Sequence, residues 1–172
     1  METLSGVKNL ELQVAYGKVR SVTVEMGRAV VSPEKTILVS GEEVRLIPVD
    51  VGNPHAVIFT EDAEAAPLET LGKAIEHHEA FPGGVNVEFV QVLSRSRLRM
   101  RVWERGSGVT LACGTGACAS TAAAAKRGLV AYGDPISVVL DGGTLTVTVA
   151  SDGQVKMSGS AEFVYEGDTE LC

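Results

Sequence analysis

Between Gly114 and Arg127 the chain reads Gly-Thr-Gly-Ala-Cys-Ala-Ser-Thr-Ala-Ala-Ala-Ala-Lys-Arg, a run with strong helical propensity. Ala117, Cys118, Ala119 and Ala122 to Ala125 surround that helix with small groups. A helix of this kind can be enclosed on nearly all sides, and the rest of the chain has to supply the enclosure. Gly128 stops the helix.

The remaining sequence reads as strands. Leu10 to Val14 alternates apolar and polar residues, Ala15-Tyr16-Gly17-Lys18 turns, and Val19 to Met26 alternates again, which predicts a β-hairpin. After Gly27 and Pro33, Ile37 to Val39 and Val44 to Val49 are strand candidates about Gly41-Glu42. Val51-Gly-Asn-Pro-His interrupts the next apolar run, which resumes at Ala56. Pro67 fits the first turn of an outer amphipathic helix running to about His78, with Leu68, Leu71 and Ile75 on one face. Pro82-Gly83-Gly84 ends it. Val87 to Val92 and Leu98 to Trp103 pair across Ser94-Arg-Ser-Arg, and Ile136 to Leu140, Leu145 to Val149 and Gln154 to Met157 add short strands between Asp-Gly-Gly and Ser-Asp-Gly turns. With 45% hydrophobic residues, the 172 residues can bury a core as a single domain spanning 1–172. The predicted fold is α+β: a curved, barrel-like, mostly antiparallel sheet wrapped around a central helix.

Cys113 sits just ahead of the buried helix. Unpaired N–H groups and the positive end of the helix dipole favour negative charge there, so the thiolate is expected to be stabilised and its pKa lowered. The same N–H groups could hold a substrate carboxylate, and Gly114 and Gly116 clear space for its approach. A tight turn with close helix packing is the plainer reading of the same residues.

Charge and cysteine usage limit the alternatives. A formal charge of -7 and a pI near 5.0 argue against a nucleic-acid partner. No apolar run reaches the length of a membrane span, and Met1-Glu-Thr-Leu-Ser is not a signal-peptide lead, so the expected location is the cytoplasm. Three cysteines, at 113, 118 and 172, leave at least one unpaired. Cys-x4-Cys falls outside zinc-hairpin spacing, and no metal is expected.

Four segments then stand out at turns between strands: Asp50-Val-Gly-Asn-Pro-His-Ala-Val, Phe81-Pro-x-x-x-Asn-Val-Glu-Phe-Val, Arg101-Val-Trp-Glu-Arg-Gly and Leu111-Ala-Cys-Gly-Thr-Gly-Ala-Cys-Ala. Together they resemble the diaminopimelate epimerase family, cofactor-independent isomerases of lysine and peptidoglycan precursor synthesis. The resemblance implies that Cys113 matches one of two catalytic acid/bases, and that the backbone at Gly114 and Thr115 holds the carboxylate at the reacting carbon. It further implies that Asn53, Asn86 and Arg105 recognise the far end of a diaminopimelate substrate, while His55 and Glu104 line the reaction centre. No cofactor is implied. Each residue has a plainer use: Asn53-Pro54 as a turn former, His55 as a core histidine, Asn86 as a strand-start cap, Glu104-Arg105 as a surface pair.

The family pairs two similar halves across a cleft, with its other cysteine in a Cys-Gly-Asn-Gly-type turn of the first half. No such turn precedes residue 111 here. Cys118 is a poor replacement, since five helical residues carry it about 7.5 Å along and roughly 140° around the axis. Cys172, at the terminus, is no better placed. The chain is therefore expected to be a carboxy-terminal portion, with Met1 to about Gly6 as the tail of the missing half, needing that half or a partner chain for full activity. Apolar surface left where that half would pack predicts self-association, with a homodimer as its simplest form. The alternatives are a proline-racemase-like or other amino-acid racemase half, and a non-catalytic carboxylate-binding or assembly domain.

Overall fold

Strands make up about half of the chain in the computed structural model, which describes residues 1–3 and 6–168. Cys172 lies outside the described residues. In chain order the elements are β1 (Glu2–Thr3), β2 (Gly6–Val7), β3 (Leu10–Ala15), β4 (Lys18–Arg28), β5 (Val30–Val31), β6 (Lys35–Val39), β7 (Glu42–Asp50) and β8 (Pro54–Phe59). A π-helical turn (Leu68–Gly72) and α1 (Lys73–Glu76) follow, then β9 (Asn86–Ser94), β10 (Arg97–Glu104), β11 (Gly108–Val109), α2 (Gly114–Lys126), β12 (Pro135–Leu140), β13 (Gly143–Val149) and β14 (Gln154–Ser160).

The main sheet runs β3-β4-β14-β13-β12-β10-β9-β8-β7-β5, with β11 beside β10 and β6 beside β7, while β1 and β2 form a separate ladder. It curls around α2, as the all-round small helix demands, but its end strands do not pair with each other, so the barrel stays unclosed. Nor is it antiparallel throughout. β8 with β9 and β10 with β12 are parallel neighbours. Parallel strands need a crossover, and the two helical segments supply one each: the π turn with α1 between β8 and β9, and α2 on the way from β10 to β12.

Alternation along the strands sorts side chains between two cores. Ile47, Val49, Val57, Val90, Leu98, Met100 and Val102 face α2, whose Ala117 to Ala125 are all buried. Leu46, Ala56, Val87 and Phe89 face the other way, under Leu68, Ile75 and Trp103. In β9 the alternation puts Asn86, Glu88 and Val90 on the α2 side.

The outer helix is shorter than its pattern predicts and half of it is wound differently. Leu71 and Gly72 both donate to the Pro67 carbonyl, at 2.9 and 3.2 Å, which widens the first turn. Gly72 is the reason the turn lies so close to the sheet: a Cβ there would stand 2.8 Å from Cβ of Trp103. Regular α-helix lasts only to Glu76, although Leu68 and Ile75 are buried as the spacing requires. No described helix is long and apolar enough to cross a membrane.

Candidate active site

Three strand ends and one helix start meet at one edge of the sheet. β7 ends at Asp50, whose Oδ1 accepts from the Gly52 N–H at 2.7 Å and closes the turn at a glycine with φ of +100°. β8 then starts at Pro54, two residues earlier than the apolar run suggests, so His55 lies within the sheet beside Asn86 of β9. β10 runs antiparallel to β9 and finishes at Glu104 at the same edge. The chain returns through β11 to Cys113, the N-cap of α2.

One hydrogen-bonded series links these parts. His55 Nδ1 lies 2.6 Å from Glu88 Oε1, with both side chains fully buried. His55 Nε2 is 3.1 Å from Asn53 Oδ1, and Asn53 Nδ2 donates to Thr115 Oγ1 at 3.4 Å. Thr115 Oγ1 is 3.6 Å from Cys113 Sγ, and the Gly116 N–H donates to the same sulfur at 3.3 Å. Gly116 has to be glycine for this packing, since a Cβ would stand 2.8 Å from Glu88 Oε1 and 3.1 Å from Cys113 Sγ. The N–H groups of Gly114 and Thr115 precede the first intrahelical bond, so the helix itself offers them no acceptor.

The expected lowering of the Cys113 pKa is overturned. The residue is only 7% exposed, and burial pushes its thiol up to about 11. Hydrogen bonds from Thr115 and Gly116 pull the other way but do not compensate, and Glu88, when ionised, and Glu104 add to the rise. Cys113 is therefore a thiol at neutral pH in this chain. Cys118, fully buried within α2, is pushed up to about 12 by the same desolvation.

Asn86 and Arg105 form a second group. Asn86 Nδ2 donates to the Pro54 carbonyl at 3.1 Å and its Oδ1 accepts the Arg105 N–H at 2.9 Å, so the side chain ties the start of β8 to the end of β10. The Arg105 guanidinium donates to the Gly83 carbonyl at 3.1 Å and lies against Gly84, where a Cβ would meet Arg105 Cδ at 2.8 Å. Glu104 is half-buried and accepts from the Thr110 hydroxyl. Gly114 packs under Met157 of β14.

Two contributions, Glu88 and the hydroxyl of Thr115, are absent from the sequence reading. Glu88 stands inside the apolar run Val87-Glu-Phe-Val, and a lone charge at an inward position of a strand buried on both faces is the signal that reveals it. Thr115 enters through its hydroxyl as well as its backbone. Beyond the site, Glu76 accepts from Trp103 Nε1 at 2.6 Å and the Gly106 N–H at 2.8 Å, fixing the loop after β10.

Comparison with known proteins identifies relatives of the whole stretch. The family profile described as Diaminopimelate epimerase matches residues 47–164. A diaminopimelate epimerase of Geobacillus thermodenitrificans is 45% identical over 97% of this chain and 62% of its own length, and one of Bacillus licheniformis is 43% identical over 98% and 64%. The chain thus spans less than two thirds of these relatives. A crystal structure of a hydroxyproline epimerase from Agrobacterium vitis, with bound trans-4-hydroxy-L-proline, shares the fold at a TM-score of 0.72 and 22% identity, covering 96% of this chain and 57% of that one. On the profile match across most of its length, this chain belongs to the diaminopimelate epimerase family.

Proposed function

We propose that this chain is the carboxy-terminal half of a cytoplasmic, cofactor-independent epimerase acting on diaminopimelate, with Cys113 as one of its two acid/bases. The observation that carries the reading is the convergence of the Thr115 hydroxyl and the Gly116 N–H on the Cys113 sulfur at the mouth of the buried helix. An amino acid's α-hydrogen is a very weak acid, so inverting that centre needs a base on one face and a proton donor on the other. The thiol form of Cys113 is the donor. As its S–H bond breaks and a C–H bond forms at the α-carbon, negative charge grows on a sulfur already faced by two hydrogen-bond donors. In the reverse direction the Cys113 thiolate takes the α-proton, and a second thiol, from the other half, gives one to the opposite face.

The other residues have roles consistent with their places. N–H groups of Gly114 and Thr115 bind the carboxylate at the reacting carbon and stabilise charge as the α-proton leaves. Arg105, which uses one of its five donors on Gly83, engages the distal carboxylate, and Asn53 and Asn86 share in recognising that end. His55 and Glu104 line the reaction centre. The second acid/base comes from the amino-terminal half or a partner chain, and copies of this chain associate with each other when that half is withheld.

The test is to mix the chain with an amino-terminal half from a relative and follow solvent deuterium into the substrate's α-position. Exchange requiring both chains and lost in Cys113→Ala is expected. Exchange that persists in Cys113→Ala, or that occurs with proline but not with diaminopimelate, sinks the reading.

A further inference from the structure

At the closed end of the site lies a carboxyl that the proton transfer does not itself use. Glu88 is fully buried, and its Oε2 has no hydrogen-bond partner among the described residues. Its Oε1 is committed to Nδ1 of His55 at 2.6 Å. The groups that face it are His55 from β8, Glu104 from the end of β10, and the Cys113 thiol ahead of α2.

Donor directions along the series follow from the Asn53 amide. Its nitrogen donates to Thr115, so its oxygen accepts, and His55 Nε2 must carry a proton to supply it. The Thr115 hydroxyl, having accepted from Asn53, has its own proton to aim at the Cys113 sulfur. His55 Nδ1 is left with two choices. It is protonated and faces an ionised Glu88, or it is bare and accepts from a protonated one.

We propose that Glu88 is a positioning residue that works as a neutral acid, donating its proton to Nδ1 of His55 and so locking the Nε2–H tautomer that orients Asn53 and, through it, Thr115. This inference rests on the reading of Cys113 as an acid/base. The orphaned Oε2 decides between the two choices. In an ionised Glu88 that oxygen would hold part of a full negative charge in a dry interior without a donor, whereas in the acid it is an unpartnered carbonyl oxygen, which is far less costly. Burial accordingly raises the Glu88 pKa, with Glu104 adding to the rise and His55 opposing it. The neutral acid also has a use. An ionised Glu88 would oppose formation of a Cys113 thiolate, and protonation removes that opposition while keeping the hydrogen bond.

Nitrogen-15 spectra of the histidine rings in the full chain at pH 7 test the assignment, with His77 and His78 as internal references. The expected wild-type signature is a neutral His55 ring protonated at Nε2 alone. Glu88→Gln, whose amide can donate to Nδ1 in place of the acid, should keep that signature and leave the alkylation rate of Cys113 within about twofold. Glu88→Leu, which fills the space without a donor, should lose the single tautomer and change the alkylation rate at least about fivefold. A His55 ring protonated at both nitrogens in the wild type overturns the proposal, as does a Gln variant that departs as far as Leu or a Leu variant that departs from neither. If Glu88→Leu does not fold, the wild-type and Gln spectra decide alone. These readouts need no turnover. Absence of α-proton exchange with an intact His55 signature would therefore refute the function while leaving the role of Glu88 standing.

Discussion

Alkylation of Cys113 measures how burial and the helix N-terminus compete. Raising a thiol from 9.0 to about 11 cuts its thiolate about a hundredfold at any pH well below 9. A thiolate of higher pKa is intrinsically more nucleophilic, and a Brønsted slope of about 0.4–0.5 returns roughly six- to tenfold over those two units. The net expectation is a reaction with iodoacetamide roughly ten- to fifteenfold slower than that of a free cysteine, slower still for a sulfur that is only 7% exposed. The rate should also keep climbing through pH 10 without levelling near 9. In a Cys172→Ser background only Cys113 and Cys118 remain, and Cys118 is fully buried. Peptide mass spectrometry between pH 7 and 10, with circular dichroism to confirm the fold at each pH, reads the profile of Cys113 directly. A rate that levels off at or below pH 8.5 would show that the dipole and the two hydrogen bonds outweigh desolvation, and would refute the burial argument.

Three further outcomes follow from the same packing. Gly116→Ala should lower stability by about 1 kcal/mol in urea unfolding, because overpacking against Glu88 and Cys113, about 1–3 kcal/mol, exceeds the helix-propensity gain of about 1 kcal/mol; a more stable variant would contradict the close approach. Asn86→Ala should cost about 1–3 kcal/mol in the same assay, since it leaves the Pro54 carbonyl and the Arg105 N–H without their bonds, and an unchanged midpoint would show that water replaces both. The stability linked to the raised Cys113 pKa is fully present below about pH 9, where both states hold the proton, and is lost as pH rises towards 11 because the unfolded chain releases it first. The loss is about 3 kcal/mol, with Cys118 adding to it, and a wild-type urea midpoint that falls no further than that of Cys113→Ala between pH 8 and 10.5 would refute the linkage.

Local pattern carried most of the fold. Alternation located the hairpin of β3 and β4 and the pairs β6–β7 and β9–β10, and small side chains on every face marked α2 as the enclosed helix. What escaped was non-local. The parallel pairings of β8 with β9 and β10 with β12 depend on where crossovers land, which no period of two or 3.6 encodes. The π turn depends on Gly72 meeting Trp103, two residues 31 positions apart. At the site, turn motifs placed His55, Asn53, Cys113 and Thr115 at one edge, but Glu88 lies within a strand whose alternation presents it as an ordinary polar position. The direction of the Cys113 shift was misjudged for a related reason: the sequence displays the helix start but not how deeply the sulfur sits beneath it.

That depth bears on the proposed chemistry as well as on reactivity. A thiolate held near pKa 6 at an open helix N-terminus would be abundant but weakly basic, a poor match for an α-hydrogen that is itself barely acidic. A sulfur held near 11 is the stronger base once formed and the weaker acid before, so burial trades population for driving force. In the proposed reaction the step that begins from the thiol needs no prior ionisation: Cys113 would hand its proton to carbon while the Thr115 hydroxyl and the Gly116 N–H, both bonded to the sulfur, receive the charge. The opposite step begins from the thiolate that this one leaves behind, which the same two donors hold in readiness. On this reasoning the sulfur does not have to be acidic in the free chain. It has to be dry, and its two donors have to be in place before the charge arrives, which is what the buried start of α2 and the series running back to Glu88 provide.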